Sequence, residues 1–141
     1  MKIKYIVILS FFTFSICCCK TKGQSPEQKQ IDSLINVLVK ERWQWNQASI
    51  RLQQIGEPAV DKLLNVLEDK SLDGWTRRKA AMTLTHIKSE NKIKPCLNIF
   101  TDETEDISLR ANACRALANV NIGKYEELFF IMLITRIIVL K

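Results

Sequence analysis

The chain is short, nearly balanced in charge and poor in turn-forming residues. Its 141 residues suit one domain, and its net charge of +6 includes four lysines within residues 1–24, a stretch without acids. The rest of the chain therefore carries only about +2, too small an excess for the basic surface that nucleic-acid binding requires. No nucleic-acid partner is predicted. Four glycines and three prolines favour an all-helical chain over a turn-rich β protein.

Residues 1–19 have the organisation of an export signal. Lys2 and Lys4 form a basic start, residues 5–16 are apolar apart from two serines and one threonine, and three cysteines follow. This apolar stretch is shorter than the roughly 20 residues that a transmembrane helix needs, so a signal peptide is the better interpretation. The polar residues 20–25 are predicted to be a tether between the signal and a folded domain.

The adjacent cysteines indicate how an exported chain is held. The segment resembles a bacterial lipoprotein signal, in which a cysteine directly after the apolar region is lipidated. Cys19 is the preferred acceptor because Ile16 supplies the aliphatic residue expected three positions earlier; Cys18 and Cys17 are alternatives, as is secretion without lipid. Several acyl chains hold a domain on a bilayer far better than one. The resemblance implies a membrane-anchored or periplasmic protein of the bacterial cell envelope.

The first predicted helix covers residues 26–40. Ser25 is a candidate cap and Pro26 suits the first helical position. Apolar residues then follow at helical spacing, at Ile31, Leu34, Ile35 and Leu38. Because an isolated helix of this length is marginal in water, the stripe indicates that the helix packs against another part of the chain.

A helical pattern recurs after this helix at two nearly equal steps. The matched positions of three first helices are Ala48, Ala80 and Ala113; Leu52, Leu84 and Leu117; and Ile55, Ile87 and Val120. The second helices match at one uniform step, with Val60, Leu63, Leu64 and Leu67 corresponding to Ile93, Cys96, Leu97 and Phe100. Such a period predicts stacked helical hairpins, with repeats at about 43–69, 75–101 and 107–138 in a domain spanning 26–141.

This repeat resembles the short HEAT-like repeats first noted in phycobilin lyases. Residues 52–69 follow that pattern closely, and Arg77 and Arg110 stand at the arginine position of its first helix. Trp45 replaces that arginine in the first repeat, and Lys88 stands where a glycine like Gly56 is expected. The resemblance implies an all-α fold, a right-handed α-solenoid of about three helical hairpins (an ARM-type superhelix) plus the N-terminal helix. It also implies that both arginines are structural, each pairing with an acid of a neighbouring repeat.

Residues that could carry out chemistry are few. His86 aligns with Gln54 and Asn119 and is predicted to be exposed, while Cys96 and Cys114 align with core positions. There is no nucleophile elbow, phosphate loop or zinc-binding spacing. We therefore predict no enzyme activity, metal or cofactor. The acids within residues 102–106 precede a helix, whose N-terminus they complement.

Two further groups of side chains are assigned structural or solvated roles. Arg78 and Lys79 are predicted to face solvent. Trp43, Trp45 and Trp75 are predicted to anchor the core or the contact between repeats rather than to form a ligand cage.

Solenoid proteins bind partners on the extended, slightly concave face of successive second helices. Here that face is predicted to expose Lys62, Asn65, Lys94 and Asn98. The chain is thus predicted to be a non-catalytic binding or scaffold module for an unknown protein or peptide. The alternative that the resemblance implies is a prosthetic-group lyase or chaperone.

The C-terminal segment is unusually apolar for the end of such an array. Residues 128–140 are apolar except for Thr135 and Arg136, whereas terminal repeats need a polar outer face. Two interpretations stay open: this segment docks against another protein or a bilayer, or the chain is a truncated or frame-altered version of a longer array.

Overall fold

Six α-helices account for most of residues 25–120, the part of the chain that the computed structural model describes. They are α1 (Pro26–Lys40), α2 (Trp45–Ile55), α3 (Val60–Glu68), α4 (Gly74–Leu84), α5 (Ile93–Thr101) and α6 (Ile107–Ala118), with a 3₁₀ turn at Glu57–Ala59. No strand occurs within this range, which confirms the predicted all-α fold. The predicted signal peptide 1–19, residues 20–24 of the tether and the part of the third repeat beyond residue 120 lie outside the described residues.

Side-chain caps define the starts of α1, α4 and α6. These helices follow Ser25, Asp73 and Asp106, whose side-chain oxygens accept hydrogen bonds from backbone N–H groups two or three residues further on. The first N–H groups of a helix lack partners within the helix, and one such cap contributes about 1 kcal/mol. Local sequence therefore sets where these three helices begin.

The helices lie in two rows, with α1, α3 and α5 in one and α2, α4 and α6 in the other. Within the rows, α3 packs on both α1 and α5, and α4 packs on both α2 and α6. Between the rows, each odd-numbered helix packs on the even-numbered helix that follows it. Equivalent positions of successive repeats are consequently brought side by side.

Buried aliphatic side chains from every helix form a continuous core between the rows. Its fully buried members include Leu38, Leu52, Leu63, Leu67 and Leu84. Ala48, Ala80 and Ala113 are also buried, and their small side chains let the even-numbered helices approach one another. The hydroxyl groups of Ser49 and Thr83 lie 2.8 Å apart in this core and link α2 to α4.

Candidate functional site

The turns before α4 and α6 contain the same pair of aspartate hydrogen bonds. In the first, Asp69 Oδ1 accepts hydrogen bonds from the backbone N–H and hydroxyl of Ser71. In the second, Asp102 Oδ1 accepts the same two bonds from Thr104. The Thr104 hydroxyl and the Lys70 ammonium lower the pKa of Asp102 to about 2. Asp102 thus stabilises the turn, and Asp106 caps α6.

The two repeat arginines close these turns in matching ways. Arg77 Nε donates to the Leu67 carbonyl at 2.8 Å, and Arg110 Nε donates to the Phe100 carbonyl at 3.0 Å. Both acceptors lie in the last turn of an odd-numbered helix, where carbonyls lack partners within the helix. The arginines therefore cap the helices that precede them.

Arg77 also joins one repeat to the next. Its two terminal nitrogens each donate to one oxygen of Glu105 at 2.8 Å, and both side chains are 7% exposed. This paired hydrogen bond, with burial opposing it, lowers the pKa of Glu105. Within residues 25–120 no carboxylate pairs with Arg110, so that arginine makes the carbonyl contact alone there.

At the turn before α2, a different residue donates to the carbonyl at the end of the preceding helix. Trp45 occupies the position of Arg77, and the Leu38 carbonyl at the end of α1 is instead reached by the Lys79 ammonium from α4. Lys79 is 2% exposed, so its predicted exposure was wrong. The reason is that an unpaired helix carbonyl in the core attracts a cation. Burial lowers the pKa of Lys79.

A second buried lysine closes α4. Gly56, at φ 80°, ends α2 with its N–H bonded to the Leu52 carbonyl, but no glycine follows α4. Instead, the fully buried Lys92 ammonium donates to the carbonyls of Leu84 and Ile87. Burial lowers the pKa of Lys92 to about 8. Both buried lysines are thus held by helix ends rather than by acids.

The predicted partner face lies along the odd-numbered row. Asn65 on α3, and Lys94 and Asn98 on α5, are exposed. Lys62 is half-buried because its ammonium pairs with Asp32 of α1 at 2.9 Å. Lys62 and Lys94 do not occupy equivalent positions, since the counterpart of Lys62 in α5 is Pro95.

Sequence reasoning missed a third asparagine of this face. Asn36, Asn65 and Asn98 each follow a buried core residue of α1, α3 or α5 by two positions and are all exposed. The step from Asn36 to Asn65 is shorter than the step from Asn65 to Asn98, so a search at the repeat period does not find Asn36. An open groove of about 460 Å³ along α1 includes Asn36 and Asp32. We refer to Asn36, Asn65 and Asn98, with Lys62 and Lys94, as the outer face.

A second open cleft, of about 860 Å³, lies where the α1–α2 turn meets the start of α4. Its lining includes all three tryptophans of the chain. The other lining residues are Val39, Lys40, Glu41, Arg42, Asn46, Asp73, Thr76 and Lys79. We refer to this feature as the tryptophan cleft.

The three indoles of the tryptophan cleft have different surroundings. The rings of Trp45 and Trp75 meet edge to face with centroids 5.8 Å apart. Trp43 is 90% exposed, so it anchors neither the core nor a contact between repeats, and that prediction was wrong for this residue. Trp45, at the position where the other repeats have an arginine, thus contacts Trp75 at the start of α4.

Arg78 belongs to the same aromatic cluster. Its guanidinium lies 5.1 Å from the Trp75 ring centroid, and the side chain is half-buried. The prediction that Arg78 faces solvent was therefore wrong, because the guanidinium packs on an aromatic ring that also faces the cleft.

The remaining candidate residues lie in different surroundings. His86 is exposed and Cys96 is fully buried, and burial raises the pKa of the Cys96 thiol to about 12. Within residues 25–120, no three His, Cys, Asp or Glu side chains are grouped so that they could hold a metal ion. None of the helices in that range has both the length and the apolar character needed to cross a bilayer.

Comparison with known proteins adds no assignment to this geometry. No model of a protein family matches the chain, and no curated protein matches its sequence.

Proposed function

We propose that the chain is a right-handed HEAT-like solenoid that binds a protein or peptide partner on its outer face. The observation that carries this proposal is the row of exposed asparagines at equivalent positions of α1, α3 and α5. Support for the repeat architecture comes from the two matching turns, in which the hydrogen bonds of Asp69 recur at Asp102. Repeat proteins of this kind use such extended surfaces for binding.

The chemistry of an asparagine row fits an extended peptide main chain. Each side-chain amide offers both a donor and an acceptor, as each peptide unit of a partner does. Packed helices lie about 8–10 Å apart, and three residues of an extended chain span about 10 Å. Asn36, Asn65 and Asn98 can therefore meet every third residue of one bound segment.

The charges of the outer face favour a partner segment that carries an acidic side chain. Lys94 is exposed, whereas Lys62 is held by Asp32. Lys94 is thus the cation available to an acidic side chain of the partner at the α5 end.

We further propose that this module acts at the bacterial cell envelope, exported by residues 1–19 and anchored through a lipid on Cys19, with Cys18 or Cys17 as alternatives. The intact mass of the protein from a membrane fraction tests this part. Acyl chains on a cysteine at a new N-terminus are expected; an unmodified Met1 terminus would contradict the proposal.

The binding proposal is tested by crosslinking the tagged protein in its native envelope and identifying what copurifies. A single stoichiometric partner is expected, and Asn65→Ala with Asn98→Ala should release it. Lys94→Glu should weaken binding of the same partner. Gln54→Ala, an exposed amide on α2 in the other row, is the matched control. Retention of the partner by the double asparagine variant would overturn the assignment of the outer face.

The same experiment separates this function from a prosthetic-group lyase or chaperone, which rests on the HEAT-like resemblance alone. That activity predicts a chromophore or other small ligand in the purified protein in place of a protein partner. An absorption spectrum and a mass spectrum of the denatured sample distinguish the two.

A further inference from the structure

The tryptophan cleft contains none of the five outer-face residues, and it adjoins the groove along α1 through Lys40 and Glu41. Exposure of large aromatic side chains is unfavourable, because roughly 25 cal/mol is lost for each Å² of apolar surface left in water. Trp43 is nevertheless 90% exposed beside Trp45 and Trp75. All three tryptophans of the chain line this one open cleft. This concentration indicates a binding site, because tryptophan is favoured at the centres of binding sites.

The α4 wall of the cleft is held by hydrogen bonds of its own. Asp73 Oδ1 accepts the backbone N–H groups of Trp75 and Thr76 at 3.0 and 3.1 Å, and its Oδ2 accepts the Thr76 hydroxyl at 2.7 Å. Lys79 ties α4 to the end of α1 through the Leu38 carbonyl. The size of about 860 Å³ lies within the range of about 300–1,000 Å³ typical of ligand sites. Binding therefore spends little free energy on ordering the α4 wall.

Hydrogen-bond donors outnumber acceptors in the cleft. None of the three indole N–H groups donates a hydrogen bond within residues 25–120, and Arg42 and Asn46 are exposed at the rim. Of the two carboxylates in the lining, Asp73 is already engaged by the start of α4. The complementary ligand is rich in acceptors and poor in donors.

The charge of the cleft further restricts the class of ligand that it can bind. Among the exposed lining residues, Lys40 and Arg42 outnumber Glu41. Lys79 is buried against the Leu38 carbonyl and Asp73 is engaged by the start of α4, so these two charges are already occupied. The guanidinium on the Trp75 ring adds another positive charge. This balance disfavours a cation such as a quaternary ammonium group, although aromatic cages often bind one. It favours a ligand that carries acidic groups.

We propose that the tryptophan cleft binds a proline-rich segment of a partner protein, in the polyproline II conformation and flanked by acidic residues. Proline has no backbone N–H, so such a segment presents carbonyl acceptors and few donors. Its rings pack on aromatic side chains, and its conformation is formed in advance at little entropic cost. A glycan fits less well, because its many hydroxyl groups need acceptors that this cleft lacks.

The intrinsic fluorescence of the full chain tests this site directly, because every tryptophan lines the cleft. The probe is a synthetic peptide that contains three prolines, spaced to suit a polyproline II helix, with glutamates on both sides of them. The matched probe has alanine in place of each proline. A saturable change in emission is expected with the proline peptide. The alanine peptide should bind at least about tenfold more weakly.

Paired variants test whether the peptide binds in the cleft. Trp43→Ala should weaken binding about tenfold or more, while Ile107→Ala, which removes another exposed apolar side chain on α6 (66% exposed), should leave it unchanged. Arg42→Glu should weaken binding and reduce its dependence on salt. Asn65→Ala, on the outer face, should have no effect.

Three results would overturn the proposal. They are an equal response to both peptides, saturation by an oligosaccharide in place of the proline peptide, and an emission that changes with protein concentration alone, which would show a second copy in the cleft.

Discussion

The turns before α4 and α6 differ instructively from the turn before α2. In the first two, an aspartate caps the new helix and an arginine caps the old one. Before α2, the capping position is Gln44, whose side chain makes no capping hydrogen bond, and the arginine position holds Trp45. All three turns still satisfy a carbonyl in the last turn of the preceding helix.

This comparison shows that the repeat imposes a backbone requirement rather than a residue. A helix end buried between two rows needs a donor for its carbonyls. Arg77 and Arg110 supply it from their own turn, whereas Lys79 supplies it from the neighbouring helix. Once Lys79 has taken that role, the α1–α2 turn is free to carry aromatic side chains, and the tryptophan cleft lies there.

The largest effect is expected when the ion pair of a regular turn is broken. Arg77→Ala removes the Leu67 carbonyl contact and both donors to Glu105. Glu105, which is 7% exposed, then keeps the Lys70 ammonium at 3.3 Å as its ionic partner within residues 25–120, so the free energy of unfolding should fall by about 3 kcal/mol, the low end for a broken buried pair. Arg110→Ala removes a single carbonyl contact within the described range and should cost about 1 kcal/mol. Denaturant titration measures both values. Equal losses would show that the Glu105 pair contributes nothing beyond the carbonyl cap.

A double-mutant cycle can test whether an arginine at position 45 replaces Lys79 as the donor to the Leu38 carbonyl. Lys79→Met leaves the Leu38 carbonyl unpaired and should cost about 1–3 kcal/mol. Adding Trp45→Arg restores the residue type found at this position in the other repeats. The two changes should therefore cost less together than the sum of their separate costs. Additivity in thermal or denaturant unfolding would show that the introduced arginine does not reach the carbonyl, and that the two turns are not equivalent.

The buried Lys92 should make stability increase with pH above neutrality. Its pKa is about 8 in the folded protein and 10.5 ordinarily, so above pH 8 the folded state releases a proton that the unfolded state keeps. The free energy of unfolding should then rise by about 1 kcal/mol from about pH 7 to about pH 9. Lys79, whose pKa is also lowered by burial, acts in the same direction.

A matched variant assigns that pH dependence. Lys92→Met should flatten most of the slope measured by denaturant unfolding, leaving the part due to Lys79. Above about pH 9 the buried Cys96 acts in the opposite direction, because its pKa is raised to about 12 and the unfolded thiol ionises first. An undiminished slope in Lys92→Met would assign the effect to other groups.

The smallest effect on stability is expected at the most exposed aromatic residue of the unusual turn. Trp43 is 90% exposed, so Trp43→Ala should change the free energy of unfolding by less than about 0.5 kcal/mol. Trp45→Ala removes an edge-to-face contact with Trp75 and should cost about 1–2 kcal/mol. Circular dichroism with denaturant titration measures both. A large loss at Trp43 would give it a structural role and weaken the case for a binding site.

Helical periodicity was sufficient to predict the helices, because apolar side chains at every third or fourth position have to be buried together. The same pattern placed Cys96 and the alanines in positions that are buried. It failed at Lys79 and Trp43, because the spacing of apolar residues along one helix does not show which groups of other helices surround a polar or aromatic side chain. Lys79 and its counterpart Asn112 are both buried, and the Lys79 ammonium reaches the Leu38 carbonyl of α1, whereas Trp43 is exposed at the rim of the tryptophan cleft.

The sequence by itself determined the helices, their caps and the step at which they recur, because these depend on residues close together along the chain. Only the tertiary structure decided which side chain meets which helix end. Lys79 and Leu38 are 41 residues apart, and no local pattern connects them. The tryptophan cleft and the asparagine row likewise exist only after the two rows of helices pack, since packing brings distant turns and helix faces together.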